Sequence, residues 1–177
     1  LPIWEKMEHT AKKYGIRPMQ WKGILEDSSI ELVVNLTNPS VHYTLTLQAI
    51  EAGKHVFSEK MLAVTFEEGL ELCRQADLHQ VRLGAAPDTF LGGGLQTAAD
   101  AVRRGLAGEI ISGIVSLTRD YRLLGEILPH LNRKGGSILY DMGCYYLTAL
   151  CSILGPIERI SAFGKKRNPV RHGNRVG

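Results

Sequence analysis

Ile30–Lys60, IELVVNLTNPSVHYTLTLQAIEAGKHVFSEK, is the stretch on which the fold turns. Ile30 to Thr37 is short, mostly apolar and rich in β-branched residues, as expected for a parallel strand covered on both faces. Asn38-Pro39-Ser40 stops it. Val41, Leu45, Ala49 and Ala52 then recur on one helical stripe that closes at Gly53, and His55 to Ser58 reads as a second strand. Glu59-Lys60 follows at once. Upstream, Ile3, Met7, Ala11 and Tyr14 share a helix face that ends at Gly15, and a connector leads on to Ile30. Downstream, Thr65-Phe66-Glu67-Glu68 is a capping-box pattern. It opens a helix with Phe66, Leu70 and Cys73 on one face, ahead of a third strand at Val81 to Ala85.

Strands alternating with helices imply βαβ units with right-handed crossovers, so all three strands run parallel in one sheet. Their carboxyl ends then reach the same edge, where open α/β sheets bind ligands. Thr37-Asn38-Pro39, Ser58-Glu59-Lys60 and Ala85-Ala86-Pro87-Asp88 are expected to line that crevice. A domain boundary falls near Ala86. Beyond it, Gly94 to Gly105 reads as a helix, Ile110 to Leu117 as an alternating strand, and Arg119 to Gly136 as an irregular segment broken by Pro129. Asp141 to Leu154 is the strongest helix of this half. Met142, Tyr146, Ala149 and Ile153 make its apolar stripe, while Asp141, Tyr145, Thr148 and Ser152 make a polar one beside it, which puts Asp141 and Tyr145 on one face. Ile157 to Phe163 reads as a further strand.

The 177 residues are 44% hydrophobic and 22% charged, enough to close a core and too apolar for a disordered chain. No apolar run approaches the roughly 20 residues of a membrane span, and nothing reads as a secretory signal, so a soluble, cytoplasmic protein is expected. The formal net charge is +3, but Lys165, Lys166, Arg167, Arg171 and Arg175 sit in the last thirteen residues, and +3 less these five leaves −2. The basic excess belongs to the tail, so nucleic acid is not expected as a partner. Cys73, Cys144 and Cys151 form no C-x-x-C pair, which argues against a disulfide framework and a zinc site and favours buried thiols. No metal is expected. Trp4 and Trp21 read as packing residues.

Adjacent Glu59 and Lys60 at a strand end make a solvated surface pair more often than not, and a place in the crevice strengthens the case for chemistry. There, desolvation lowers a lysine's pKa and lets it exchange a proton with a substrate hydroxyl or carbonyl. Asp88 and Thr89 leave the third strand at the crevice, as substrate contacts or turn residues, and His130 is a pocket-lining candidate in the irregular segment. Gly92-Gly93-Gly94 lacks G-x-G-x-x-G spacing and suits a flexible helix entrance better than a phosphate loop.

These residues together resemble the glucose-fructose oxidoreductase / inositol dehydrogenase (Gfo/Idh/MocA) family. The resemblance rests on Thr37-Asn38-Pro39, His42, Glu51-Ala52-Gly53-Lys54-His55-Val56, Glu59-Lys60, and later Ala107-Gly108-Glu109-Ile110 and Asp141-Met142-Gly143. It implies an NAD- or NADP-dependent oxidoreductase of a sugar, cyclitol or related polyol, and a homo-oligomer when full length. The implied fold is α/β. Residues 1–86 would be the C-terminal part of a Rossmann-type parallel sheet lacking its Gly-rich first βαβ unit, and 87–177 the start of an α/β domain with a mostly antiparallel sheet. Lys60 matches the lysine that activates the substrate hydroxyl, with Asp141 as its partner acid. Thr37, Asn38, Pro39, His42, Glu59 and Lys60 match positions near the nicotinamide and its ribose. Met61 stands where the family has proline after Glu-Lys. Tyr145 stands where it often has histidine, a better proton shuttle at neutral pH than a phenol. The family also holds NAD-dependent glycosidases and non-catalytic dinucleotide-binding regulators, which are the alternative readings.

Overall fold

Three short parallel strands, β1 (Leu32–Asn35), β2 (His55–Ser58) and β3 (Leu83–Ala85), lie in that order in one sheet. The computed structural model describes residues 3–119, 121–132 and 136–164. Six helices join the strands and follow them: α1 (Ile3–Tyr14), α2 (Trp21–Glu26), α3 (Pro39–Glu51), α4 (Phe66–Leu78), α5 (Gly93–Arg103) and α6 (Tyr121–Ile127). A π-helical turn at Leu139–Gly143 then runs into α7 (Cys144–Leu154). α3 begins where it should: Asn38 is its N-cap and Pro39, with no N–H to lose, is its first residue.

The register puts Asn35, Ser58 and Ala85 in one row across the sheet, with Val33, Val56 and Leu83 a pleat behind. That face is covered. Val33 and Val56 pack with Ala49 and Ile50 of α3, Leu72 and Ala76 of α4, and Val81, and Trp21 and Leu25 close the cluster. Trp21 Nε1 also donates to Gln48 Oε1 at 2.6 Å. The other face is open: Leu32, Val34 and Phe57 are 53, 52 and 40% exposed.

Helix stripes read from the sequence differ from the buried ones. In α3 the inward residues are Ala49, which belongs to the apolar series, and His42, Thr46 and Ile50, each one position on from it, while Val41 faces outward. In α4 they are Leu72 and Ala76, while Phe66, Leu70 and Cys73 are exposed. Contact with the sheet decides which stripe turns in, and in α3 that contact combines the packing of Ala49 and Ile50 with hydrogen bonds from Asn35 to the His42 carbonyl and Thr46 Oγ1. Cys73 is therefore no buried thiol. In α1, Ala11 is buried but Tyr14 is exposed.

Neither Ile110–Leu117 nor Ile157–Phe163 forms a strand. A strand exists through its ladder, and no partner lies beside either segment among the described residues; Ile111, Ile114 and Phe163 stand 90, 95 and 101% exposed. The fold shown is thus a Rossmann-like parallel α/β unit, with α5 and α7 packed together beyond it. The irregular segment contains α6 and a 3₁₀ turn at Pro129–Asn132.

The capping box forms as read: Thr65 Oγ1 accepts from Glu68 N–H at 3.3 Å and Glu68 Oε2 accepts from Thr65 N–H at 3.1 Å. Thr65→Ala is expected to cost about 1 kcal/mol, measured as a lower urea midpoint with unchanged slope.

Candidate active site

The strand exits meet at one rim. Glu59 N–H donates to the Asn35 carbonyl at 2.8 Å and Ala86 N–H to the Ser58 carbonyl at 2.9 Å, so the three chains leave the sheet side by side. Lys54 marks the opposite edge. It is buried, and its Nζ donates to the Asp27 carbonyl at 2.6 Å.

Lys60 reaches from this rim across 81 positions of sequence to the π turn. Its Nζ forms an ion pair with the Asp141 carboxylate and donates to the Asp141 carbonyl oxygen at 3.0 Å. Both side chains are largely withdrawn from water, at 17 and 19% exposure. The Tyr145 ring stands on the same ammonium, its centroid 5.5 Å from Nζ. Asp141 and Tyr145 do share a face, as their spacing implies. Pro39, Met61, His130, Leu131 and Gly136 close a small pocket around the pair. Gly136 cannot be larger, since a Cβ there would meet the His130 carbonyl oxygen and Leu131 backbone at 2.5 Å.

Electrostatics overturn one expectation. Burial pulls the Lys60 pKa down, but the hydrogen bond and charge of Asp141, with Tyr145 and Glu59 adding, outweigh it and hold the pKa above the usual 10.5. Lys60 is an ammonium at neutral pH, a donor and not a ready base. Burial raises the Tyr145 phenol despite Lys60, and raises the Cys144 thiol in the same way, so both keep their protons.

His42 lies behind the rim. It is fully buried, with Nδ1 2.6 Å from the Met61 carbonyl oxygen and Nε2 2.8 Å from that of Thr37. A ring enclosed between two loops has no face left for a cofactor, so His42 shapes the crevice through backbone. The Lys60–Met61 peptide is cis, as is Ala86–Pro87. Thr37 and Asn38 are exposed on the rim, and Asn38 makes no capping bond with its side chain. Glu59 is half-buried there. Asp88 and Thr89 are exposed at the exit of β3, and no hydrogen bond joins either side chain to Lys60 among the described residues.

Sequence reading missed Asn35. Its buried amide uses all four of its hydrogen-bonding sites: Nδ2 donates to the His42 carbonyl at 3.3 Å and to Thr46 Oγ1 at 3.1 Å, and Oδ1 accepts from the Thr37 N–H at 3.3 Å and hydroxyl at 2.7 Å. It ties the loop after β1 to α3. A lone amide inside LVVNL, at a register position that must face inward, was the available signal.

Thr37 and Asn38 present exposed polar groups on the rim from which the partly buried Lys60 ammonium projects. Among the described residues no group of three or more His, Cys, Asp or Glu could hold a metal ion, and no helix is long and apolar enough to cross a membrane.

Sheet and rim together define an α/β protein of the Rossmann class with a ligand crevice at the strands' carboxyl ends. Residues 2–86 match the family model described as oxidoreductase family, NAD-binding Rossmann fold, and residues 95–175 match the GFO/IDH/MocA C-terminal domain. The chain belongs to the Gfo/Idh/MocA family of oxidoreductases. It is 32% identical over 142 residues to scyllo-inositol 2-dehydrogenase (NADP(+)) IolW of Bacillus subtilis, covering 78% of this chain and 39% of that protein. To D-xylose dehydrogenase of Paenarthrobacter nicotinovorans it is 26% identical over 178 residues, covering 94% and 45%. Among solved structures, the WlbA dehydrogenase of Bordetella pertussis in complex with NADH and UDP-GlcNAcA superposes with a TM-score of 0.72 at 23% identity, covering 86% of this chain and 45% of that one, which shows the fold. The chain spans about two fifths of the length of the curated relatives it matches.

Proposed function

We propose that the protein is an NAD- or NADP-dependent oxidoreductase of a sugar, cyclitol or related polyol, with Lys60 as the group that handles the substrate's proton. The observation that supports this most is the Lys60–Asp141 pair, held out of water at the rim that carries Thr37 and Asn38. A nicotinamide bound along this rim would supply or take up hydride at the carbon bearing the substrate oxygen. Lys60 does the rest. Asp141 occupies two of the ammonium's three N–H bonds, and the third is left for that oxygen. As a carbonyl is reduced, this N–H bond breaks and an O–H bond forms; the electron pair stays on Nζ, which recovers a proton from water. With the ammonium as the resting form, the site is set to give a proton to a substrate carbonyl, while the oxidation direction requires Lys60 to lose its proton first.

Exposed Thr37, Asn38 and half-buried Glu59 line the cofactor side, while His130, Asp88 and Thr89 line the substrate side. Residues 1–86 form the dinucleotide-binding part and 87–177 the start of the substrate domain, whose sheet is mostly antiparallel when its partner strands are present. The full-length protein is a homo-oligomer. The inositol and xylose dehydrogenase relatives support the substrate class. The test is a panel of sugars, cyclitols and their keto forms offered to the full-length protein with each cofactor, followed by nicotinamide absorbance. Turnover on a member of the panel is expected. Cofactor affinity with neither turnover nor glycoside cleavage would place the protein among dinucleotide-sensing regulators instead.

A further inference from the structure

Position 145 is one of the places where this chain departs from the family pattern, and the geometry there is specific. Tyr145 sits one helical turn after Asp141, so both side chains reach the same ammonium. They reach it differently. Asp141 presents a carboxylate and a carbonyl oxygen, whereas Tyr145 presents the face of its ring, with the centroid 5.5 Å from Nζ. The negative face of an aromatic ring attracts a cation within about 6 Å, and more strongly when water is excluded. The Tyr145 hydroxyl has no hydrogen-bond partner among the described residues.

Resting on the reading of Lys60 as proton donor, we propose that Tyr145 is a positioning residue that acts through its ring and not its hydroxyl. The ring steadies the ammonium while Asp141 takes two of its N–H bonds, which keeps the third aimed at the substrate oxygen. Tyr145 then adds no proton-handling group of its own, where a histidine at position 145 would supply one. The groups facing Lys60 are consistent with this division. Asp141 comes from the π turn, Tyr145 and Cys144 from α7, Glu59 from the lysine's own loop, and His130 from the 3₁₀ turn across the pocket. Cys144 keeps its proton and adds no charge.

Two variants separate ring from hydroxyl. Tyr145→Phe is expected to hold the alkaline limb of the pH profile where the parent has it, because the ring face remains on the ammonium. Tyr145→Leu is expected to lower kcat about tenfold and to move that limb to lower pH by about half a unit to one unit, because an ammonium without the ring gives up its proton more easily. Tyr145→Gln repeats the test with a polar side chain. Lys60 is also titrated directly, by its rate of acetylation against pH read by mass spectrometry on the full-length protein. That measurement needs no substrate, so it tests the ring's role even if the oxidoreductase assignment fails. A Tyr145→Phe variant as impaired as Tyr145→Leu would assign the role to the hydroxyl and overturn the proposal. So would a Lys60 titration unmoved in both Tyr145→Leu and Tyr145→Gln.

Discussion

Lys60→Ala lowers turnover of the full-length protein by about 10²–10⁴-fold and leaves cofactor affinity within about tenfold: that is the expected result of removing a general acid that anchors nothing else. Alanine keeps the backbone of the rim but deletes the ammonium nitrogen on which Asp141 and Tyr145 converge. Stopped-flow measurement of the nicotinamide signal, with cofactor affinity from fluorescence titration, separates the two effects. An active variant, or one that loses cofactor binding as steeply as turnover, would remove Lys60 from the chemistry. The pH dependence has a definite sign. Because the folded-state pKa of Lys60 lies above the usual 10.5, the ion pair contributes its full stability below that pH and loses it only as the pH rises through the higher folded value. Neutral and mildly alkaline buffers leave the pair intact.

The second large effect is on stability. Asn35→Ala is expected to cost about 2–4 kcal/mol, since four hydrogen bonds go and buried partners on α3 and in the loop lose theirs. Thr46→Val removes only one of those partners and is expected to cost about 1 kcal/mol. Urea unfolding of the two variants side by side measures the difference. Equal midpoints would mean that Asn35 is not the hub its contacts describe. The loop it secures carries Thr37, so loss of cofactor affinity in Asn35→Ala is expected alongside the loss of stability.

Much of this arrangement was readable before any coordinates. The β-branched run of β1, the Asn38-Pro39 stop and the Thr65–Glu68 cap are local signals, and each element begins or ends where its residues require. The shared rim followed from chain topology, because parallel strands can only deliver their ends together. The one-turn spacing of Asp141 and Tyr145 survived the π turn between them. Failures came where tertiary contact outranks local pattern. Apolar periodicity picked Val41 and Phe66 as inward residues, but α3 turns His42 and Thr46 inward beside Ala49 and Ile50, with Thr46 bonded to Asn35 of β1, and α4 turns in Leu72 and Ala76. His42 stands near the nicotinamide only by the family resemblance, which carries no information on burial. Its burial between two carbonyls depends on Met61, nineteen residues away. The lysine's protonation was misjudged for a related reason: desolvation can be guessed from a crevice, whereas the anion that outweighs it arrives from another part of the chain.

The bare side of the sheet bears on how substitutions there would act. Among the described residues Leu32, Val34 and Phe57 form a small oily plate, at 53, 52 and 40% exposure. Parallel sheets are ordinarily dry on both sides, so any layer that settles on this plate grips it through apolar contact, and a charge at one of these three positions would loosen that grip.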